Sequence, residues 1–102
     1  MLMIEARIID ALDKRETVKL SKRDTVISDR YRLWDTVIAR VEDKYVYIYT
    51  HGWQTCTTKS RLNAILGHYC DIYVYQKNYI WYVVDGPTTS NFVEGNQYRR
   101  VR

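Results

Sequence analysis

Residues 33–49, LWDTVIARVEDKYVYIY, alternate apolar and polar positions on both sides of Asp43-Lys44. Period two over that length reads as two half-buried strands. A two-residue connection at Asp43-Lys44 pairs Val41 with Val46, Ala39 with Ile48 and Ile38 with Tyr49. Val37, Ala39, Val41, Val46 and Ile48 then share one face, and Ile38, Arg40, Tyr45, Tyr47 and Tyr49 share the other. A turn one residue longer would scramble both faces, so the pattern itself selects the register.

The same device recurs at 71–84. Asp71–Tyr75 and Tyr79–Val84 flank Lys77-Asn78, and pairing Tyr75 with Ile80 puts Ile72, Val74, Trp81 and Val83 on one side. Tyr73, Tyr75, Ile80 and Tyr82 take the other. Between the hairpins lies a helical stretch from about Thr58 to His68, with Leu62, Ile65 and Leu66 on its buried side and Gly67 near its end. Upstream, Ile4, Ile8, Ala11 and Leu12 fall at helical spacing. Thr17–Leu20 and Thr25–Ile27 fit short strands, and a further short strand is expected near Phe92 and Val93.

These elements predict a small α+β domain: an antiparallel sheet with a β-β-α-β-β core over 33–84, the helix on one face of a single sheet, and an additional N-terminal helix in 1–16. Residues 85–102 are predicted as a loop and basic tail. One domain accounts for all of 1–102, a common size for a single core.

Composition narrows the function classes. The chain of 102 residues has ten Tyr and three Trp against one Phe, and a net charge of +4. Tyr and Trp carry polar atoms and suit half-buried sites and contact surfaces, and the positive charge permits an anionic partner. No apolar run is long enough to span a membrane, and the early Glu5 speaks against a signal peptide. Cys56 and Cys70 form no paired motif and are expected as reduced thiols, in a cytoplasmic setting.

The stretch Gly52–Asn63, GWQTCTTKSRLN, is the strongest local motif. With Trp34-Asp35-Thr36-Val37-Ile38-Ala39 before it and Tyr79-x-Trp81-Tyr82 after it, it resembles small bacteriophage-encoded proteins of unknown function that share a Gly-Trp-x-Thr-x-Thr-Thr-Lys-x-Arg-Leu-Asn box. The resemblance implies a viral origin and the cytoplasm of a bacterial host, and it carries over no functional residue. Physically, Thr57 suits a helix N-cap, with Thr55 capping the turn before it. Lys59 and Arg61 oppose the helix dipole in a first turn, a misfit that an anion held with Thr57 and Thr58 would remove. The alternative is a plain cap, with basic stems covering apolar surface.

The second candidate surface is the phenol side of the hairpins. Tyr47, Tyr49, Tyr73 and Tyr75 with Arg40 form a platform on which bases stack, or else a second core layer beneath the N-terminal helix. The tail cations Arg99, Arg100 and Arg102 would add phosphate contacts. The expected function is therefore a non-enzymatic nucleic-acid-binding module. The alternative is a protein-protein interaction module directed at a bacterial enzyme or defence complex, and a homodimer suits either. No cofactor is expected and no metal, since His51, Cys56, His68 and Cys70 match no zinc spacing. Walker, nucleophile-elbow and dinucleotide motifs are missing from the sequence, so no catalytic residue is assigned.

Overall fold

A computed structural model describes residues 2–102; Met1, counted above in the N-terminal helix region, lies outside them. The elements run α1 (Met3–Asp13), β1 (Thr17–Lys19), β2 (Asp24–Ile27), β3 (Arg30–Leu33), β4 (Thr36–Val41), β5 (Tyr45–Ile48), α2 (Cys56–Tyr69), β6 (Tyr73–Lys77), β7 (Ile80–Asp85), β8 (Thr88–Asn91) and β9 (Gln97–Arg99). The class is α+β, as expected. The single sheet is not what forms: the strands build a six-stranded antiparallel sheet, β1-β2-β3-β4-β5-β9, and a separate three-stranded one, β6-β7-β8. Helix α2 packs against β4 and β5 of the first and β6 of the second, so its apolar side serves both.

The first hairpin has the register that alternation requires, with Ala39 opposite Ile48, Arg40 opposite Tyr47 and Val41 opposite Val46. Upstream, the segment read as one strand from Leu33 is two strands, because the chain reverses at Trp34-Asp35 and Leu33 pairs back with Thr36. The polar residues before Tyr31 also belong to the sheet: Ser28-Asp29 is the turn of the β2–β3 hairpin, with Ser28 at φ 58°. On β4, Tyr31 faces Ala39 and Arg32 faces Val37, so Ile38 is an extra residue. Such a bulge resets the alternation, and Ile38 and Ala39 are accordingly both buried.

In the second hairpin the pairing is displaced by two residues from the expected one, with Tyr75 opposite Tyr82 and Lys77 opposite Ile80. A shift of two leaves every side chain on its face. Ile72, Val74, Trp81 and Val83 are buried as the pattern requires. The turn is Asn78-Tyr79, both at positive φ (52° and 66°), the backbone of a type I′ connection. The last short strand precedes Phe92, and the segment expected as a tail supplies β9, which pairs with β5.

Both helices lie on the aliphatic side of the large sheet. Ile8, Ile9, Ala11 and Leu12 of α1 and Leu62, Ile65 and Leu66 of α2 close over Val26, Tyr31, Ala39, Val46 and Ile48. Beneath them runs a buried polar cluster. Arg61 Nε donates to Asp24 Oδ1 and its Nη1 donates to Glu5 Oε2, each at 2.9 Å. Ser60 Oγ also donates to Glu5 Oε2, while Asp24 further accepts from Ser21 and from the Tyr31 hydroxyl. One guanidinium thus joins α1, α2 and β2, and Asp24 extends the cluster to Tyr31 of β3. The return to β9 is fastened by Glu94, whose carboxylate accepts from Thr50 N–H (2.8 Å), Thr50 O–H (2.6 Å) and His51 N–H (2.7 Å).

Candidate nucleic-acid interface

Strand pairing decides which side chains share the uncovered side of the large sheet. Val26, Tyr31, Ala39 and Ile48 point into the core, so their strand neighbours point out. One outward row crosses the sheet from Ile27 through Arg30, Arg40 and Tyr47 to Gln97. On one side of it lie Lys19, Thr25, Arg32 and Val37, and on the other the pair Tyr45 and Arg99. Five cations therefore stand on this face, from β1, β3, β4 and β9: Lys19, Arg30 and Arg99 exposed, Arg32 and Arg40 half-buried.

Local contacts hold the centre of this face. The Arg40 guanidinium lies 4.5 Å from the Tyr47 ring centroid, a cation–π arrangement. Its Nε is 2.8 Å from Glu42 Oε2, an ion pair whose angle does not make a hydrogen bond. Arg30 Nε lies 3.7 Å from Asp29. Arg30 and Arg40 are direct cross-strand partners, a placement of like charges that costs stability in a sheet.

The expected tyrosine platform divides. Tyr45 and Tyr47 lie on the large sheet's open face, half-exposed and not under α1. Tyr49 is stacked on His51 at 5.6 Å, with Gly95 backed against its ring. Tyr73 and Tyr75 belong to the other sheet, where Tyr75 stacks on Tyr82 at 5.3 Å and lies 6.4 Å from Tyr73. The six rings are two groups on two sheets because α2 and its loops separate the hairpins that carry them.

The residues of the helix-start motif also part company. The N-cap is Thr55, not Thr57: its Oγ1 accepts from Thr58 N–H at 3.1 Å and lies 3.0 Å from Thr58 Oγ1. Thr57 and Thr58 line a cleft of about 540 Å³ at this end of α2, and Lys59 is not among its walls. Arg61 is 2% exposed and wholly engaged with Glu5 and Asp24, so it contacts no phosphate in this fold. Its misfit with the dipole is answered from inside the protein. Glu5 and Asp24 are the partners that the motif alone did not reveal; the signal was an acid and a base each standing at an apolar position of its helix, Glu5 one turn before Ile8 and Ile9, Arg61 one turn before Ala64 and Ile65.

The C-terminal cations are docked as well. Arg100 lies 4.8 Å over Tyr69 and donates to the Glu42 carbonyl at 2.9 Å, while Arg102 Nη1 donates to the His68 carbonyl at 3.2 Å. Arg99 alone of the three lies on the open face. Burial pushes the Cys70 thiol up to about 11, whereas Cys56 is exposed at the start of α2. His51 Nε2 sits 3.0 Å from the Val37 carbonyl, and His68 Nε2 is 3.8 Å from Asp13. Among the described residues no three His, Cys, Asp or Glu side chains converge as a metal site, and no helix is long and apolar enough to cross a membrane.

Comparison with known proteins gives a family match: the model described as Kyanoviridae Gp96 protein covers residues 1–99. No curated protein and no solved structure matches.

Proposed function

The chain belongs to the Kyanoviridae Gp96 protein family, a family of phage proteins, and we propose that it is a non-enzymatic module that binds nucleic acid through the open face of its large sheet, in the cytoplasm of a bacterial host. The observation that carries this reading is the Arg30–Arg40 pair, directly opposed at the centre of a face with three further cations and two half-exposed tyrosines. Opposed guanidinium groups repel, a cost that the Glu42 and Asp29 carboxylates offset at each flank and that a string of phosphates would offset across the pair. Tyr45 and Tyr47 add ring faces for bases or sugars.

Fluorescence anisotropy with labelled oligonucleotides tests the reading. Binding should weaken steeply with salt, since each neutralised phosphate releases counterions. Replacing Arg30 and Arg40 by Ala should flatten the plot of log affinity against log salt by about one to two units of slope. If no oligonucleotide of either strandedness binds at low salt, the proposal is wrong.

A second reading, a contact surface for a host protein, is favoured by the small sheet. Tyr73, Tyr79 and Ile80 there are 54%, 91% and 47% exposed beside Tyr75 and Tyr82. Aromatic residues of this kind are enriched at protein interfaces. A host protein retained stoichiometrically after nuclease treatment, and released by Ile80→Asp, would favour this surface over the basic one.

A further inference from the structure

The three tryptophans have opposite fates. Trp81 is 3% exposed in the core, while Trp34 and Trp53 are 58% and 68% exposed. An indole left in water forgoes more burial than almost any other side chain. Both exposed indoles border the same cleft, the one of about 540 Å³ at the N-terminal end of α2. Leu33 and Ile38 give it apolar walls, and the bulge in β4 is what turns Ile38 toward the interior. Thr36, Thr50 and Thr57 contribute polar positions.

The indoles are carried on fixed backbone. Trp34 occupies the β3–β4 turn at φ 55°, and its N–H donates to the Arg23 carbonyl at 2.7 Å. Trp53 N–H donates to the Thr50 carbonyl at 2.9 Å, and Thr50 is itself held by Glu94. Trp34 also borders a second, shallower groove, which contains Lys19, Lys22 and Arg32. The cleft is thus contiguous, through Trp34 and Asp35, with the basic face. Around this junction stand Lys19, Lys22, Arg23 and Arg32 against one carboxylate, Asp35.

Apolar walls, two indoles and scattered hydroxyls suit a flat heterocycle with polar edges, and the volume lies within the range of small-ligand sites, about 300–1,000 Å³. The surrounding cations suit a phosphate attached to that heterocycle. We propose that this cleft accepts an unpaired nucleobase from a single strand whose phosphates run along the Lys19–Lys22–Arg32 groove. The inference rests on the nucleic-acid reading of the open face and adds a choice of strand to it. A base inside a duplex would first have to leave its stack and its partner, so the cleft selects single strands.

The test uses the full chain with a labelled oligothymidylate of about twelve nucleotides and a duplex of the same length. Single-strand binding should quench tryptophan emission, and Trp34→Ala with Trp53→Ala should weaken it about tenfold or more, given the usual stacking contribution, with duplex affinity unaltered. Equal losses for both nucleic acids, or none for the single strand, would overturn the cleft while leaving the basic face standing. Should neither nucleic acid bind the native chain, the reading of the face fails; thymidine monophosphate then tests the cleft alone. Calorimetric binding of the mononucleotide that Trp53→Ala abolishes would sustain the base site, and the absence of binding to the native chain would end it. Trp34→Phe, which retains a ring in the β3–β4 turn, serves if Trp34→Ala does not fold.

Discussion

Arg61 carries the clearest lesson at the scale of single residues. In the sequence it stands two positions after Lys59 in an early helical turn and resembles one jaw of an anion site. In the fold it is the hub of a cluster with Glu5 and Asp24, side chains 56 and 37 residues away along the chain. The apolar positions of Glu5 and Arg61 on their helices mark both as charges turned inward, but nothing nearby in sequence announces that they meet each other and Asp24. Removing one member leaves the others charged and dry, which is where the energetic leverage lies. Arg61→Met should therefore lower unfolding free energy by about 3–5 kcal/mol, measured by urea titration. A loss under about 1 kcal/mol would mean that water reaches Glu5 and Asp24. Lysine is no substitute, since it lacks the planar fork that serves both carboxylates.

At the scale of elements, the two hairpins show what alternation can and cannot specify. It fixed the faces of the second hairpin and of the first from Ala39 onward, because period two depends only on which residues are apolar. Before Ala39 the bulge puts Ile38 inside and Val37 on the open face, the reverse of the expected sides. Alternation fixed the register of β4–β5, where slipping by one would have exposed Val46 and Ile48. It did not fix β6–β7, because a slip of two keeps Ile72, Val74, Trp81 and Val83 inward, and Asn78-Tyr79 lacks the glycine that marks most type I′ turns. Nor did it reveal β1–β3 as a full meander, where strands of three or four residues are too short to show a period. Tyr79 holds φ 66° while 91% exposed, so it bears backbone strain without packing in return. Tyr79→Gly should raise stability by about 0.5–1 kcal/mol, the αL cost less the freedom that glycine restores to the unfolded chain. A thermal melt decides it, and a lower midpoint would show that the phenol contributes contacts of its own.

For the molecule as a whole, the sequence conveyed a basic, tyrosine-rich α+β protein but not the division of its strands into two sheets. The reason is that α2 serves both, and its apolar positions look alike whichever sheet they meet. Stability of the assembled fold should depend on acid. Burial alone would raise the Asp24 carboxyl, yet hydrogen bonds from Arg61, Ser21 and Tyr31 and the Arg61 charge hold it below the ordinary range. For Glu94, bonds from Thr50 and His51 likewise outweigh burial. A depressed folded pKa stabilises at neutral pH and loses that contribution as pH falls, beginning near the unfolded values of about 3.9–4.3. Urea midpoints should therefore drop below about pH 4, and Glu94→Gln should flatten part of that fall. A midpoint independent of acid would contradict the depressed carboxylates.

Glu94 has a particular position in this respect. The chain leaves the large sheet after Ile48, builds α2 and the small sheet, and returns past Glu94 to lay Gln97–Arg99 beside Tyr45–Tyr47. Protonating that one carboxylate removes its charge-assisted bonds to Thr50 and His51 and so loosens the returning segment close to where it left. The protein then acquires a raw sheet margin, with the β5 amides bare, and sheds Arg99 from its basic side in the same motion. Acid below about pH 4 should thus make copies stick to one another by their margins while loosening their hold on an anionic polymer, and amide exchange at Tyr45 and Tyr47 would quicken ahead of that at Val26 and Tyr31.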